Sequence, residues 1–473
     1  MSKKELVLTP HQQYAMDALM AFMRQDRQRV FILKGYAGTG KTTMTKRFIE
    51  ELTKRNYPYV LLASTGRAAK ILSNMTGQSA GTVHGMIYTF SDINQDMETF
   101  INDMNQPDKD GQLVLSFVQE TNDSDREIYY LVDEASMIPD VEDKTATQAI
   151  FGSGRLLKDL LNYNKKGKFV FIGDSCQLPP ITQSQSPALS VAYFSDMFNM
   201  DAVDVELTEV MRQEKGNDIA LAAQKLRGLY NNPQPWKWAK FPFRNYKNIH
   251  ILNSQTTLIS EYIKKAKENG YNNATLIAYT NKQCDTLTSI LRPSFGIYSD
   301  SLSKGDLLLV TQNNYISGLM NGDQVIVKNV DFSERRANLT FLHVSVEELQ
   351  TKKVYSQLLI AEILYQNTTN LSQSQQKDLL IDFYLRMKEK GIKQHTNEFN
   401  KMMLMDPYLN ALRTVYGYAL TCHKAQGGEW DHVYLDIPRH LPGIQKPYVY
   451  QWIYTAMTRA RKELYVVDDF WIM

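Results

Sequence analysis

Cysteine is scarce: Cys176, Cys284 and Cys422 are the only three in 473 residues, and none stands in CxxC spacing. Neither a disulfide framework nor a zinc site is predicted, and reduced surroundings suit them. No run of about 18 uninterrupted apolar residues occurs, which excludes a membrane-spanning helix. The opening Met1-Ser2-Lys3-Lys4-Glu5 lacks the apolar stretch and small-residue cleavage site of a secretory signal, so a cytoplasmic chain is the expectation. Charge of one sign is also missing, since 53 Lys plus Arg face 51 Asp plus Glu for a net +2. Any polyanion must therefore be held by a local groove and not by overall charge. Internal repeats and low-complexity tracts are absent as well. What remains is an ordinary globular composition, 43% hydrophobic and 22% charged, on a chain too long for one hydrophobic core. Two or more domains are expected.

The most specific string is Gly35-Tyr36-Ala37-Gly38-Thr39-Gly40-Lys41-Thr42, which reads GxxxxGKT directly behind the apolar run Val30-Phe31-Ile32-Leu33. Strand, glycine-rich loop and helix in that order form a phosphate-binding loop, and the ligand class is a nucleoside triphosphate, ATP, with Mg2+. Gly35, Gly38, Thr39, Gly40 and Thr43 would line the phosphates with backbone N–H groups. Lys41 would supply a cation to the β and γ oxygens, and the Thr42 hydroxyl would ligate magnesium. Further along, Leu131-Val132-Asp133-Glu134-Ala135-Ser136 ends a buried strand with two carboxylates. Behind a phosphate loop, Asp133 is placed to hold the metal and Glu134 to orient the attacking water. Gly173-Asp174-Ser175-Cys176-Gln177-Leu178-Pro179-Pro180 puts the amide of Gln177 at the carboxyl edge of the same sheet, where ligands of open α/β sheets collect.

Near-continuous apolar runs at 30–33, 59–63, 128–132 and 169–172 predict parallel strands buried on both faces, hence a doubly wound α/β domain. A second such set, at 274–279, 432–435 and 464–467, predicts another parallel sheet. Between Asp306 and Leu364 the strands alternate and turn signals are dense, as in a small antiparallel barrel; Asp378 to Met405 is polar and periodic, as in helix. From Gly85 to Arg126 lies a polar insertion. There Pro107-Asp108-Lys109-Asp110-Gly111, flanked by Phe100-Ile101 and Leu113-Val114-Leu115, is compatible with a projecting hairpin or with a solvated loop.

In order along the chain, these motifs resemble superfamily 1 helicases of the RecD and Dda type. The resemblance runs through Leu8-Thr9-Pro10-His11-Gln12, the phosphate loop, Ser64-Thr65-Gly66-Arg67-Ala68-Ala69, Thr82-Val83-His84, Asp133-Glu134 and Gly173 to Gln177. It continues through Leu207-Thr208-Glu209-Val210-Met211-Arg212-Gln213, Thr280-Asn281, Tyr418 to Gly427, and Tyr454-Thr455-Ala456-Met457-Thr458-Arg459-Ala460. It implies two RecA-like parallel-sheet motor domains, at 1–85 with 127–200 and at 201–300 with 412–473. It also implies a wedge or pin insert at 86–126 and an SH3-like barrel plus helical segment at 301–411. Gln12 would contact adenine, Gln177 would sense the γ-phosphate, and Arg212 and Arg459 would be arginine fingers from the second lobe. Gly427 would join the nucleotide site. Thr65, Arg67, Thr82, His84, Thr280, Asn281, Thr421 and His423 would face the nucleic-acid strand through hydrogen bonds that carry no sequence code. Tyr88, Phe90 and Phe100 are the aromatic candidates for stacking the first separated base.

The activity so implied is ATP-driven 5′ to 3′ movement on single-stranded DNA with unwinding of the duplex. Single-stranded DNA and duplex junctions are the implied partners, single-stranded DNA-binding or recombination proteins the candidate companions, and one chain holds both lobes and could act as a monomer. Two departures stand out: Met211 occupies the place of an adenine-stacking tyrosine, and Cys422 that of a β-branched residue. From the residues alone a small-molecule kinase, a non-catalytic subunit or a helicase-nuclease stays open, although no second acidic cluster is visible for the last.

Overall fold

The computed structural model describes residues 8–103, 113–142, 149–181, 183–209, 217–236, 238–366, 368, 370–438 and 448–473. The first part of the chain supplies β1 (Val30–Gly35), β2 (Tyr59–Ala63) and β3 (Ala80–Thr82), then β4 (Tyr88–Ile93) and β5 (Leu115–Gln119). After these come β6 (Tyr129–Asp133), β7 (Ala149–Phe151), β8 (Lys168–Gly173) and β9 (Ala202–Leu207). Six of them form one parallel sheet in the order β3-β2-β6-β8-β1-β9. Its central strands are mostly apolar because both faces are covered: Val30 and Ile32 enter one core, Phe31 and Leu33 the other. Even the charged first residue of β8 is buried. Lys168 Nζ donates to the carbonyls of Phe22, Met23 and Gln25 at 3.1, 3.2 and 3.2 Å, which places a cation on the carboxyl end of helix Pro10–Met23.

A second parallel sheet is built from β10 (Ile249–Leu252) and β11 (Ala274–Ala278), then, after an excursion, β17 (Ala419–Thr421), β18 (Trp430–Asp436) and β19 (Ala460–Val467), in the order β10-β19-β18-β11-β17. The excursion contains β12 (Leu307–Val310), β13 (Gln324–Arg336), β14 (Leu339–Glu348), β15 (Val354–Ile360) and β16 (Thr414–Tyr416), a five-stranded antiparallel sheet. A bridge between Leu359 and Leu412 brings its two edges together. Helices Gln373–Glu389 and Asn397–Met405 occupy the polar periodic stretch between β15 and β16.

Three features depart from the expected layout. The first sheet runs on to Leu207 through β9, past the switch expected at 201; β9 is an edge strand whose Asp204 faces out to pair with Lys34 at 2.6 Å, so it lacks a continuous apolar run. The insert after His84 is a three-stranded sheet, β4-β5-β7, whose third strand comes from beyond β6. Within it Phe100-Ile101 lie on helix Met97–Asp103 and not on a strand, and the turn Pro107–Gly111 lies outside the described residues.

The insert packs on the helical pair. Phe90, Ile93, Met97, Phe100 and Leu113 share one apolar cluster with Leu380, Phe383, Tyr384, Met387, Phe399 and Met403. Polar ties frame it: Met97 N–H donates to Gln394 Oε1 at 2.9 Å, Asn400 Nδ2 to Ser91 O at 2.7 Å, and His395 meets Asp92. Elsewhere Lys70, on helix Gly66–Thr76 of the first lobe, reaches the antiparallel sheet and pairs with the buried carboxylates of Asp323 and, at 2.9 Å, Glu348. Opening the aromatic contact in the first of these joints is expected to loosen the insert selectively. Phe383→Ala should cost about 3 to 5 kcal/mol of local stability. Hydrogen exchange should then rise in 88–101 and 373–405 but not in helix Lys41–Lys54; uniform exchange across the chain would show that the joint is not a separate unit.

Candidate nucleotide site and strand path

The phosphate loop leaves β1 and enters helix Lys41–Lys54 with Gly38 and Gly40 at φ +82° and +86°, a conformation that L side chains resist. Gly40 also has no room for a side chain, because a Cβ there would lie 2.4 Å from Gln12 Nε2. Helix Lys41–Lys54 begins with no side-chain cap and no acidic residue in its first turn, so its leading N–H groups are left for an anion. Lys41 Nζ lies over the loop, donating to the carbonyls of Gly35 and Tyr36 at 2.6 and 3.1 Å; Thr39 Oγ1 donates to Tyr36 O at 2.8 Å. These residues fit a nucleoside triphosphate: an amide-lined turn, a cation and an uncapped helix start converge. Gln12 is buried against the loop, donating to Thr39 O at 3.2 Å while its Oε1 accepts the Thr9 N–H at 3.2 Å. Both ends of the amide are thus engaged in holding the loop and the helix cap.

Three strands that neighbour one another bring the acids to the same edge. β1, β8 and β6 pair in sequence, so Lys41, Asp174 and Asp133 follow adjacent strand ends. Burial, and after it the charge of Glu134, raises the Asp133 pKa to about 6 against the pull of Lys41. The Glu134 N–H donates to Asp133 Oδ1 at 2.9 Å, and Glu134 itself is in the left-handed region at φ +50°, a position that turns its side chain away from the strand direction. A hard divalent cation suits this donor set, the Thr42 hydroxyl and the Asp133 carboxylate, because it would offset a charge that burial now disfavours. Asp174 is buried too, and burial raises its pKa.

The second lobe closes over this edge. Tyr454, on helix Tyr448–Met457, accepts the Ala37 N–H at 3.2 Å and donates to Asp174 Oδ2 at 2.7 Å. Leu178 N–H donates to Thr455 Oγ1 at 2.9 Å, and Gln451 Nε2 donates to Gln177 O at 3.3 Å. Arg227, on helix Ile219–Asn231, stacks its guanidinium 3.1 Å from the ring centre of Tyr36 inside the phosphate loop. Tyr36, Cys176 and Leu178 belong to the same apolar cluster as Ile277, Leu420 and Trp452 of the second lobe. The seam is therefore a shared core.

The two arginines expected at the cradle behave differently. Arg212 lies outside the described residues, as does Met211. Arg459 is buried, but its guanidinium donates to Thr455 O at 3.0 Å, Gly428 O at 3.3 Å and Thr458 Oγ1 at 3.4 Å, all on its own lobe. Among the described residues no hydrogen bond joins it to the phosphate loop. Gly427 likewise abuts the first lobe away from the cradle: at φ +72°, its Cβ position lies 3.3 Å from Ala68. Gln177 has a buried Oε1 without a hydrogen-bond partner among the described residues.

Register explains how the strand-facing residues group. Ala63 of β2 lies beside Thr82 of β3, which brings Thr65 and Thr82 to one edge; Ala278 of β11 lies beside Thr421 of β17, which gathers Thr280, Asn281, Thr421 and His423. Thr65, Thr82 and Thr280 accept the N–H groups of Ala68, Gly85 and Gln283 at 3.2, 3.1 and 3.1 Å, capping helices while each hydroxyl proton stays free to donate. Lys424 Nζ donates to Asn281 Oδ1 at 3.3 Å across the pair. His84 packs against the touching rings of Tyr88 and Phe151, at 5.8 and 5.4 Å, and burial lowers its pKa to about 4, so it is a neutral imidazole near pH 7. Burial lowers the His423 pKa as well. Arg67 departs from its expected role. It is buried, stacked 4.4 Å from the Trp430 ring centre, and its Nε and Nη1 find no acceptor among the described residues, so it lies between lobes and not on an open strand path. Tyr88, Phe90 and Phe100 are buried too, Tyr88 in a core of the first sheet and Phe90 and Phe100 in the core of the insert and its helical support, which removes them as base-stacking candidates.

Residues 7–229 match the AAA domain family, and residues 416–467 match the UvrD-like helicase C-terminal domain. Over 438 residues the chain is 24% identical to the ATP-dependent RecD2 DNA helicase of Deinococcus radiodurans, covering 92% of this chain and 46% of that one. Against the ATP-dependent DNA helicase dda of Enterobacteria phage T4 the identity is 26% over 326 residues, 67% of this chain and 64% of that one. Over these matched stretches the chain is similar to superfamily 1 helicases of the RecD and Dda type. An uncharacterized protein, R530 of Acanthamoeba polyphaga mimivirus, is 20% identical over 516 residues, 96% of this chain and 98% of that one. The chain spans about half to two thirds of the two named helicases. Among solved structures, a Bacteroides Pif1 helicase crystallised with ADP-AlF3 and single-stranded DNA covers 98% of this chain and 93% of its own at 16% identity and a TM-score of 0.45.

The contacts that sequence reasoning missed are those of Tyr454, Thr455, Gln451 and Arg227. Tyr454 and Thr455 sit in a quoted motif, yet the run Tyr450-Gln451-Trp452-Ile453-Tyr454 reads as helix core; Arg227 reads as one cation on an amphipathic helix. The raised Asp133 pKa yields a signed expectation. Its stabilising effect is complete below the unfolded pKa and is lost as pH rises through the folded pKa, so at neutral pH the ionised carboxylate is a burden on the protein without nucleotide. Asp133→Asn should therefore raise the thermal midpoint at about pH 8 and give no gain near pH 4. A stability gain that is the same at both pH values would remove the buried ionised carboxylate as its cause.

Proposed function

We propose that this chain is an ATP-driven motor that moves 5′ to 3′ on single-stranded DNA and separates the complementary strand. The observation that carries the reading is the seam: a phosphate loop and two strand-end acids on one parallel sheet, roofed by a helix of a second parallel sheet. Phosphoryl transfer spreads charge over oxygens that must be met from both walls, so turnover depends on how the lobes close. Lys41 would hold the phosphates against the loop amides and Glu134 would orient water, while Thr42 and Asp133 would hold Mg2+, which would supply charge neutralisation at the phosphates. Arg459 would reach the cradle only in another lobe arrangement; Arg227 already touches the loop. Thr65, Thr82, Thr280, Asn281, Thr421 and His423 offer hydroxyl, amide and imidazole groups at two sheet edges, a set able to follow a phosphate backbone of any sequence. Direction of travel follows from the resemblance to RecD and Dda. The insert, braced by the helices Gln373–Glu389 and Asn397–Met405, is the element proposed to part the duplex.

Lys41→Ala and Glu134→Gln should each lower ATP hydrolysis on single-stranded DNA to about one-hundredth or less while DNA affinity stays near normal. Retained turnover in Glu134→Gln would contradict its role. On duplexes with a single overhang, the wild type should displace the strand when the tail is 5′ and not when it is 3′; the reverse result would overturn the polarity. Deleting Pro107–Gly111 should reduce strand displacement more than translocation, whereas equal loss of both would assign that segment to folding.

A further inference from the structure

Tyr454 is the one side chain among the described residues whose single polar atom joins the phosphate loop to the loop behind β8. Its hydroxyl oxygen accepts the Ala37 N–H at 3.2 Å and its proton goes to Asp174 Oδ2 at 2.7 Å. The other Asp174 oxygen takes the Cys176 N–H at 3.0 Å. One residue later, Thr455 Oγ1 takes the Leu178 N–H from the same loop and Thr455 O takes the Arg459 Nε–H. Ala37 precedes the glycines that must wrap the phosphates.

From this geometry we infer that Tyr454 is a positioning residue that couples the phosphate loop to the second lobe. The inference deepens the reading of that loop as the ATP cradle and rests on it. A donated proton polarises the phenol oxygen and strengthens the bond it accepts from Ala37, so the two contacts reinforce one another in a dry seam. Any shift of residues 36 to 38 around phosphate pulls on Tyr454, and through it on helix Tyr448–Met457. That helix leads straight into Thr458 and Arg459; Arg459 O accepts the Trp430 N–H at 2.9 Å, and the Arg67 guanidinium stacks on that Trp430 ring. Arg67 in turn sits on helix Gly66–Thr76, which opens with the strand-facing Thr65 as its cap. A continuous set of packed polar contacts thus runs from the cradle to the strand path by way of the second lobe.

The test compares Tyr454→Phe, which keeps the buried ring and removes only the hydroxyl, with Asp174→Asn, which removes the negative charge at the other end of the same bridge. Affinity for an oligo-dT of about 15 nucleotides is measured without nucleotide, with ADP and with AMPPNP. ATP hydrolysis is measured on the same DNA. Both variants should keep the ATP KM within about threefold and lose about tenfold in kcat, as expected for removing one partner of a buried charged hydrogen bond. The dependence of DNA affinity on nucleotide should shrink to less than about twofold, a readout that loss of stability alone does not move. Wild-type kcat and wild-type nucleotide dependence would overturn the inference even if the thermal midpoint falls. Should Tyr454→Phe not fold, Asp174→Asn decides by the same criteria. Lys41→Ala run alongside separates the two claims: retained hydrolysis there removes the cradle itself, whereas abolished hydrolysis there with unaltered bridge variants removes only the coupling.

Discussion

Charge buried at the meeting of two parallel sheets is the constraint around which this molecule is organised. Lys41, Asp133, Glu134 and Asp174 stand at the carboxyl ends of adjacent strands, and the second lobe places Tyr454 against Asp174, Thr455 against Leu178 and Arg227 against Tyr36. Carboxylates withdrawn from water are tolerated only where donors or cations meet them, so neither wall is complete alone. Apolar packing adds to this, because Tyr36, Cys176 and Leu178 lie in a cluster made mostly of second-lobe residues. A nucleotide bound there would alter the charge balance on both walls at once.

From that seam the remaining parts acquire their places. The outer strands β2 and β3 of the first sheet, and β11 and β17 of the second, carry hydroxyl, amide and imidazole groups at their carboxyl edges. Lys70 ties the first lobe to the antiparallel sheet, and the helical pair behind that sheet supports the insert through an apolar cluster and several polar ties. Both insertions therefore touch parts of the chain far from their own roots. A lobe movement begun at the phosphate loop would be felt by the insert through rigid contacts and not through a flexible tether.

Much of this was legible in the residues. Central strands such as Phe169-Val170-Phe171-Ile172 are buried on both faces and show it as unbroken apolar runs; the phosphate loop and the Asp133-Glu134 pair follow from glycine spacing and strand-end position. Edge strands were harder. β9 exposes Asp204, and β7 is three residues long and pairs across the fold, so neither has a local signature. The insert aromatics Phe90 and Phe100 looked available for stacking because the helices that cover them lie about 280 to 300 residues away in sequence. Arg67 and Arg459 were placed by motif alone, and only the packing reveals that one stacks on Trp430 while the other bonds to its own lobe. Tyr454 and Arg227 gain their meaning from Ala37, Asp174 and Tyr36, contacts that no spacing within either helix encodes.

The most direct test of the central claim is a structure with AMPPNP, Mg2+ and oligo-dT bound. The account predicts phosphates against the amides of Gly38 to Thr43, with side chains of helix Tyr448–Met457 or helix Ile219–Asn231 in contact with the phosphate loop or the nucleotide, and DNA crossing both sheet edges. Nucleotide held by the first lobe alone, with the second lobe withdrawn from it while DNA is bound, would contradict the account.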